Sequence, residues 1–124
     1  MLFDDKVPIY YQIKNYLYHR IVAGDLQLGD KLPAVRQLAV DLTVNVNTVQ
    51  RALREMIAEG YIVPQRGRGN FVTADAAKIT TLKHELLRTY SQAFYRQLHA
   101  LKLSDTEILQ AIETYIEKRR DADD

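Results

Sequence analysis

Between Leu42 and Gly60, LTVNVNTVQRALREMIAEG, apolar residues return at three- and four-residue steps. Val46, Val49, Leu53, Met56 and Ile57 mark one stripe of an amphipathic helix, and Asn47, Gln50, Arg51 and Arg54 fall opposite. Asn45 is placed to cap the first turn, and Gly60 stands where a left-handed residue would end the helix. Upstream, Ile13, Leu17 and Ile21 follow Pro8 at four-residue steps until Gly24, which predicts a first helix. DLQLGDKLP then breaks the period and predicts a turn followed by a few extended residues. Pro33 marks the restart. Val35, Leu38, Ala39 and Leu42 give a short second helix with Arg36, Gln37 and Asp41 outward, and Thr43 to Asn45 form a tight connection to the longer one. A short helix, a tight turn and a longer amphipathic helix is the order of a helix-turn-helix.

Past Gly60 the pattern changes. Two β-favouring triplets, Tyr61 to Val63 and Asn70 to Val72, flank a turn rich in Pro, Gly and Arg and predict a β-hairpin with a basic tip. Gly67 and Gly69 permit positive φ and close approach of the backbone to another surface, while Arg66 and Arg68 supply charge. A basic hairpin directly after such a helix is what a winged helix-turn-helix requires. The rest of the chain returns to helical spacing. Asp75 can cap a long helix to about Ala100, with Ile79, Leu82, Leu86, Tyr90, Ala93, Phe94 and Leu101 along it. Ser104 to Glu107 forms an S-x-x-E capping box before Ile108, Ile112, Tyr115 and Ile116.

The predicted fold class is therefore mainly α with a small β-hairpin: a winged helix-turn-helix over 1–74, a two-helix antiparallel segment over 75–120, and a disordered tail over 121–124. A single long helix cannot bury its own stripe. Two helices of roughly 25 and 15 residues are expected to enclose too little volume for a small-molecule pocket, which makes dimerisation the economical use of their apolar surface. The expected dimer residues are Ile79, Leu82, Leu86, Tyr90, Phe94, Leu101, Ile108, Ile112 and Ile116.

Composition narrows the chemistry. With 124 residues the chain has room for one modest domain or a small domain with an appendage. The absence of cysteine excludes disulfides, thiolate zinc sites and cysteine nucleophiles. No uncharged apolar run approaches a membrane span, and MLFDDKVP has no apolar core of signal-peptide length, so a soluble, cytoplasmic protein without membrane contact is expected. The net charge of +1 says little by itself, but Met1 to Thr73 carries nine Lys or Arg against seven acids. The basic excess lies with the predicted hairpin and helix-turn-helix.

Neither a Walker sequence, nor a nucleophile elbow, nor a paired-carboxylate site stands out, and GRGN lacks the Lys and helix of a phosphate loop. His19, His84 and His99 have no second histidine at the step that places two ligands on one helical face, so neither metal nor cofactor is expected. The four tyrosines Tyr10, Tyr11, Tyr16 and Tyr18 of the first helix read as packing residues rather than a base-stacking platform. An enzyme is not indicated. The row of amides and guanidinium groups on the longer helix offers donors and acceptors for base edges and phosphates. Two other classes remain open: a winged-helix protein-interaction module, and a sensor triggered by a ligand or metal bound to the C-terminal helices.

From Pro8 to Val72 the chain resembles the GntR-type bacterial transcription regulators. The proline-tyrosine-glutamine opening, the GDKLP link, Val35 and Arg36, the NTV at Asn47 to Val49 and the glycine-rich wing ending in Phe71 and Val72 occur together and in order. NVNTVQRA, Asn45 to Ala52, is similar to the YtrA-type subfamily, whose members carry a short two-helix C-terminal part in place of a large effector domain. The resemblance implies a sequence-specific regulator of transcription, a homodimeric repressor on double-stranded operator DNA, often at operons for ABC-type transporters and commonly at its own gene. Arg36, Asn45, Asn47, Thr48, Gln50, Arg51, Arg54, Arg66, Gly67, Arg68 and Gly69 are the expected DNA-binding residues. Ala34 stands where the family often has a capping serine, so the second helix lacks that cap, and Asn70 stands where a threonine is common.

Overall fold

The computed structural model describes residues 4–123; Met1 to Phe3 and Asp124, with the outermost positions of the expected first domain and tail, lie outside the described residues. Helix α1 spans Ile9–Ala23, α2 Val35–Leu42 and α3 Val46–Ala58; strands β1 (Ile62–Gln65) and β2 (Gly69–Val72) follow, then α4 (Ala76–Ala100) and α5 (Asp105–Asp123). The chain forms two compact units, up to Lys83 and from His84 onward, so the first turns of α4 belong with the N-terminal unit.

Local chemistry explains the boundaries. Gly24 ends α1 in the left-handed region at φ 89°. Ala34 leaves α2 without a side-chain cap, as its methyl dictates, and Thr43 closes α2 with φ 56°. Asn45 Oδ1 accepts from the Asn47 N–H at 2.7 Å and starts α3. Leu42 therefore closes α2 instead of opening α3, and Gly60 follows the end of α3 with φ 85°.

The stripes meet in one core. Ile13, Leu17 and Ile21 of α1, Leu38, Ala39 and Leu42 of α2, and Val49, Leu53 and Met56 of α3 are buried, closed off by Ile62 and Val72 of the hairpin. Ala52 is fully buried too, although its small side chain carries little weight in a periodicity reading. The strands pair antiparallel in the register Ile62↔Val72, Val63↔Phe71, Pro64↔Asn70 and Gln65↔Gly69, each running a little further toward the tip than the β-favouring triplets. Leu26 and Leu32 anchor the connection after α1, and Lys31 bridges to Phe71, which accounts for the extended residues read before Pro33.

A polar seam joins α1 to α3. Tyr10, Lys14 and Tyr18 of α1 face Arg51 and Glu55 of α3 and its capping residue Glu59, a row at four-residue steps on each side, met in the same chain direction. Lys14 Nζ lies 3.1 Å from Glu55 Oε1 and 3.2 Å from Glu59 Oε1, and the Tyr18 hydroxyl donates to Glu59. Burial alone would lower the Lys14 pKa, but the two carboxylates outweigh it and raise it. Burial, then the bond to Glu59, pushes the Tyr18 phenol well up. Tyr18 also meets Tyr61 edge to face, with centroids 5.6 Å apart.

In the second unit, the Ser104 N–H donates to Glu107 Oε1 at 3.0 Å and the Glu107 N–H to Ser104 Oγ at 3.2 Å, the reciprocal box read from the sequence. Those bonds hold the Glu107 carboxyl below its usual value. Two expectations are corrected here. Helix α5 continues through Asp123, so residues 121–123 are helical rather than a disordered tail; the good helix formers Glu117 to Arg120 carry the helix up to them, and Arg120 suits the last turn. The helices also do not exclude a hollow. An open apolar groove of about 480 Å³ is lined by Phe94, Leu98, Ala111, Ile112 and Tyr115, where Ala111 contributes only a methyl group.

Lys14→Ala would remove the cation that Glu55 and Glu59 share and leave Glu55 only the 3.7 Å contact with Arg51. Because the Glu55 and Glu59 side chains stay 39% and 40% exposed, we expect a loss of about 1 to 2 kcal/mol rather than that of a fully buried pair. Urea unfolding measures it. A raised lysine pKa stabilises below the ordinary lysine value and is lost only as pH rises through the raised one, so the deficit should hold steady across the neutral range.

Candidate nucleic-acid interface

Burial of Val49, Ala52, Leu53 and Met56 turns the other side of α3 to solvent. Asn47, Gln50, Arg51 and Arg54 are exposed there, and Thr48 is half-buried. Asn45 is exposed, but its side-chain oxygen is engaged with the Asn47 N–H, so its amide nitrogen is the group left to present. Arg36 is exposed on α2. A shallow hollow of about 330 Å³, lined by Val35, Gln50, Leu53, Arg54, Ile57 and Asn70, brings α2, α3 and β2 to one place. Gln50 and Arg54 thus border both the second helix and the wing.

The wing tip contracts to three residues between the paired Gln65 and Gly69. The Arg68 N–H donates to the Gln65 carbonyl at 2.9 Å, closing a turn whose third residue, Gly67, has φ 74°. Arg66 and Arg68 are exposed, and the Arg68 guanidinium lies 5.7 Å from the Phe71 ring centroid. Gly69 has φ 116°, and a Cβ there would lie 3.0 Å from Lys31 Cε. Lys31 is a cation beside the wing that the sequence reading missed. Its only signal was the extended GDKLP stretch, which does not say what that stretch pairs with.

Arg51 is held more closely than an exposed helical position suggests. Its guanidinium carbon lies 3.8 Å from the Tyr10 ring centroid, and Nε lies 3.7 Å from Glu55 Oε2. At the far end of α3, Lys78 Nζ donates to the Glu59 carbonyl at 3.1 Å and passes so close to Gly60 that a Cβ would come within 2.4 Å of it. Among the described residues no group of three or more His, Asp or Glu is placed to hold a metal ion, and no helix is long and apolar enough to cross a membrane.

The expected dimer residues fall into three groups. Leu82 and Ile108 are buried within the chain itself; Ile79, Leu86 and Ile112 are half-buried; Tyr90, Phe94, Leu101 and Ile116 are exposed. Leu87, Tyr95, Leu109 and Tyr115 are exposed as well and were not among the expected set.

Gly69→Ala should strain the wing, since φ 116° lies in a region that L side chains rarely adopt. We expect a loss of about 1 to 3 kcal/mol in urea unfolding. An alanine variant as stable as the parent would mean that the wing backbone relaxes without cost.

Residues 9–72 match the family described as "Bacterial regulatory proteins, gntR family". The chain is 36% identical over 104 residues to the HTH-type transcriptional repressor YtrA of Bacillus subtilis (strain 168), covering 79% of this chain and 80% of that protein. A solved GntR family transcriptional regulator from Listeria monocytogenes superposes with a TM-score of 0.85 at 35% identity, covering 90% of this chain and 98% of the other. AraR(DBD), solved in complex with operator ORX1, superposes with a TM-score of 0.55 at 25% identity over 58% of this chain and 93% of its own. On that kinship, with the helix-turn-helix and wing that carry it, the chain belongs to the GntR family and is a DNA-binding regulator of transcription, not an enzyme.

Proposed function

We propose that the protein is a homodimeric repressor that binds a palindromic operator in the cytoplasm, with α3 in the major groove and the Arg66 to Gly69 wing on the adjacent backbone. The observation that carries this reading is the meeting of Gln50 and Arg54 with Val35 of α2 and Asn70 of β2 around one hollow. That arrangement lets helix and wing reach one stretch of duplex together. In this reading Asn47, Gln50, Arg51 and Arg54 read base edges, while Arg36, Thr48, Asn45, Arg66, Arg68 and the two wing glycines follow phosphates. The name of the relative YtrA supports repression, and a chain without catalytic groups regulates most simply by occupying a promoter.

Arg51→Ala should cost about 1 to 3 kcal/mol on the operator and relax preference at one symmetric pair of positions, whereas Arg68→Ala should weaken all sequences alike and lower the salt slope by roughly one. The measurement is binding of both variants to a randomised duplex library at two salt concentrations. The promoters of ABC-type transporter operons and of the protein's own gene are the first natural sequences to probe. Altered base preference for Arg68→Ala, with none for Arg51→Ala, would make the wing the reader.

One feature supports pairing through α4 and α5. Apolar side chains are exposed well beyond the groove, at Leu87, Leu101 and Leu109, which are 60%, 68% and 64% exposed. Large apolar side chains left this exposed suit a second helical surface. The groove itself favours a second reading, an apolar effector lodged among Phe94, Leu98, Ile112 and Tyr115. Phe94→Glu separates them. Sedimentation of the variant should show monomers that bind the operator weakly; a stable dimer would place the interface elsewhere and leave the groove to a ligand.

A further inference from the structure

Arg51 stands apart from its neighbours on the outer face of α3 because its head group is already held before any partner arrives. The guanidinium carbon lies 3.8 Å from the Tyr10 ring centroid, a stacking distance, while Lys14, Arg20, Arg68 and Lys78 stand 5.7 or 5.8 Å from the rings beside them. Its carboxylate neighbour holds it loosely. Glu55 Oε2 is 3.7 Å from Arg51 Nε, whereas Glu55 Oε1 is 3.1 Å from Lys14 Nζ, so Lys14 takes the stronger hold on Glu55. The Arg51 side chain nevertheless remains 58% exposed. A guanidinium stacked on a ring keeps its in-plane N–H groups clear of the ring, which is the edge that pairs with a guanine or a phosphate.

We propose that Tyr10 is a positioning residue for DNA recognition: from α1, its ring fixes the Arg51 guanidinium in the orientation in which its edge meets the operator. This rests on the reading above that α3 faces DNA. A free arginine carries on the order of 2 kcal/mol of rotamer entropy, and a side chain ordered beforehand loses less of it on binding. Tyr10 thereby shapes sequence preference without touching a base. The same stacking explains why the tyrosine sits at the start of the seam. One turn further on, Lys14 neutralises the Glu55 charge that would otherwise draw Arg51 inward.

The test uses the full chain and duplexes selected from a random library by the parent protein, with affinity, base preference and thermal unfolding recorded for each variant. Tyr10→Phe keeps the ring and should bind as the parent does. Tyr10→Leu should lose roughly two- to fivefold in affinity, the size of an exposed cation–π contact, and relax preference at the positions that Arg51→Ala relaxes. Tyr10→Leu combined with Arg51→Ala should be no weaker than Arg51→Ala alone. Full affinity and preference in Tyr10→Leu, independent losses in the double variant, or a loss in Tyr10→Phe equal to that in Tyr10→Leu would overturn the proposal, the last because it would mean that the hydroxyl touches DNA. If Tyr10→Leu fails to fold, fluorinated phenylalanines at position 10 serve instead. They drain the ring face without changing its shape, so affinity should fall stepwise with fluorination, and a flat response would overturn the proposal. Binding that survives both Arg51→Ala and Gln50→Ala would instead sink the reading of α3, a result distinct from failure at Tyr10.

Discussion

A lysine that keeps only 7% of its surface exposed can remain charged only where carboxylates are held against it, and the placement of α3 depends on how Lys14 meets that condition. Glu55 on α3 and Glu59 at its C-cap stand four residues apart, and Lys14 reaches both. Rotating α3 about its axis would leave the cation buried and unpaired, so the ion pairs act with the core to fix that angle. Val49, Leu53 and Met56 alone would press α3 inward without choosing so sharply between neighbouring angles. Once the angle is set, Asn47, Gln50 and Arg54 must face outward and Arg51 must fall beside Tyr10. The residues that set the shape and those proposed to recognise DNA therefore meet on one helix.

Much of this was legible in the residues because the signals are local. Four-residue apolar steps located α1, α2 and α3, and Asn45, Gly24 and the Ser104 box marked ends that the hydrogen bonds bear out. The hairpin was visible in two short triplets around a glycine-rich turn. What escaped was non-local or small. Lys14 lies 41 residues from Glu55, and no spacing within one helix announces such a partner. Ala52 is fully buried yet weighs little in a stripe. Lys31 joins the wing through a bridge to Phe71 that only the folded chain reveals. Tyr10 and Tyr18 were read as packing residues, but their place beside Lys14 in the seam and the contact of Tyr10 with Arg51 needed geometry.

The second unit was legible as helices and less so as a surface. Periodicity found α4 and α5, yet it counted Leu82 and Ile108 with the residues offered to a partner, although both are already covered. An apolar stripe tells which side chains avoid water, not whether the cover comes from the same chain. The groove beside Ala111 had the same origin: volume follows from how far apart two helices stand, and spacing along either one is silent on that. The extension of α5 to Asp123 shows helix propensity carrying a charged segment past its last apolar contact.

In the proposed function, the outer face of α3 and the wing form one DNA-binding surface fixed by the α1 seam. Amide and arginine side-chain NMR signals, followed while a duplex selected from a random library is titrated into the isotope-labelled protein, test it most directly. The account predicts that shift changes concentrate at Asn47, Gln50, Arg51, Arg54 and Arg66 to Gly69, with the signals of Lys14 and Tyr18 nearly still. Changes gathered in α5 while α3 and the wing stay silent would contradict it.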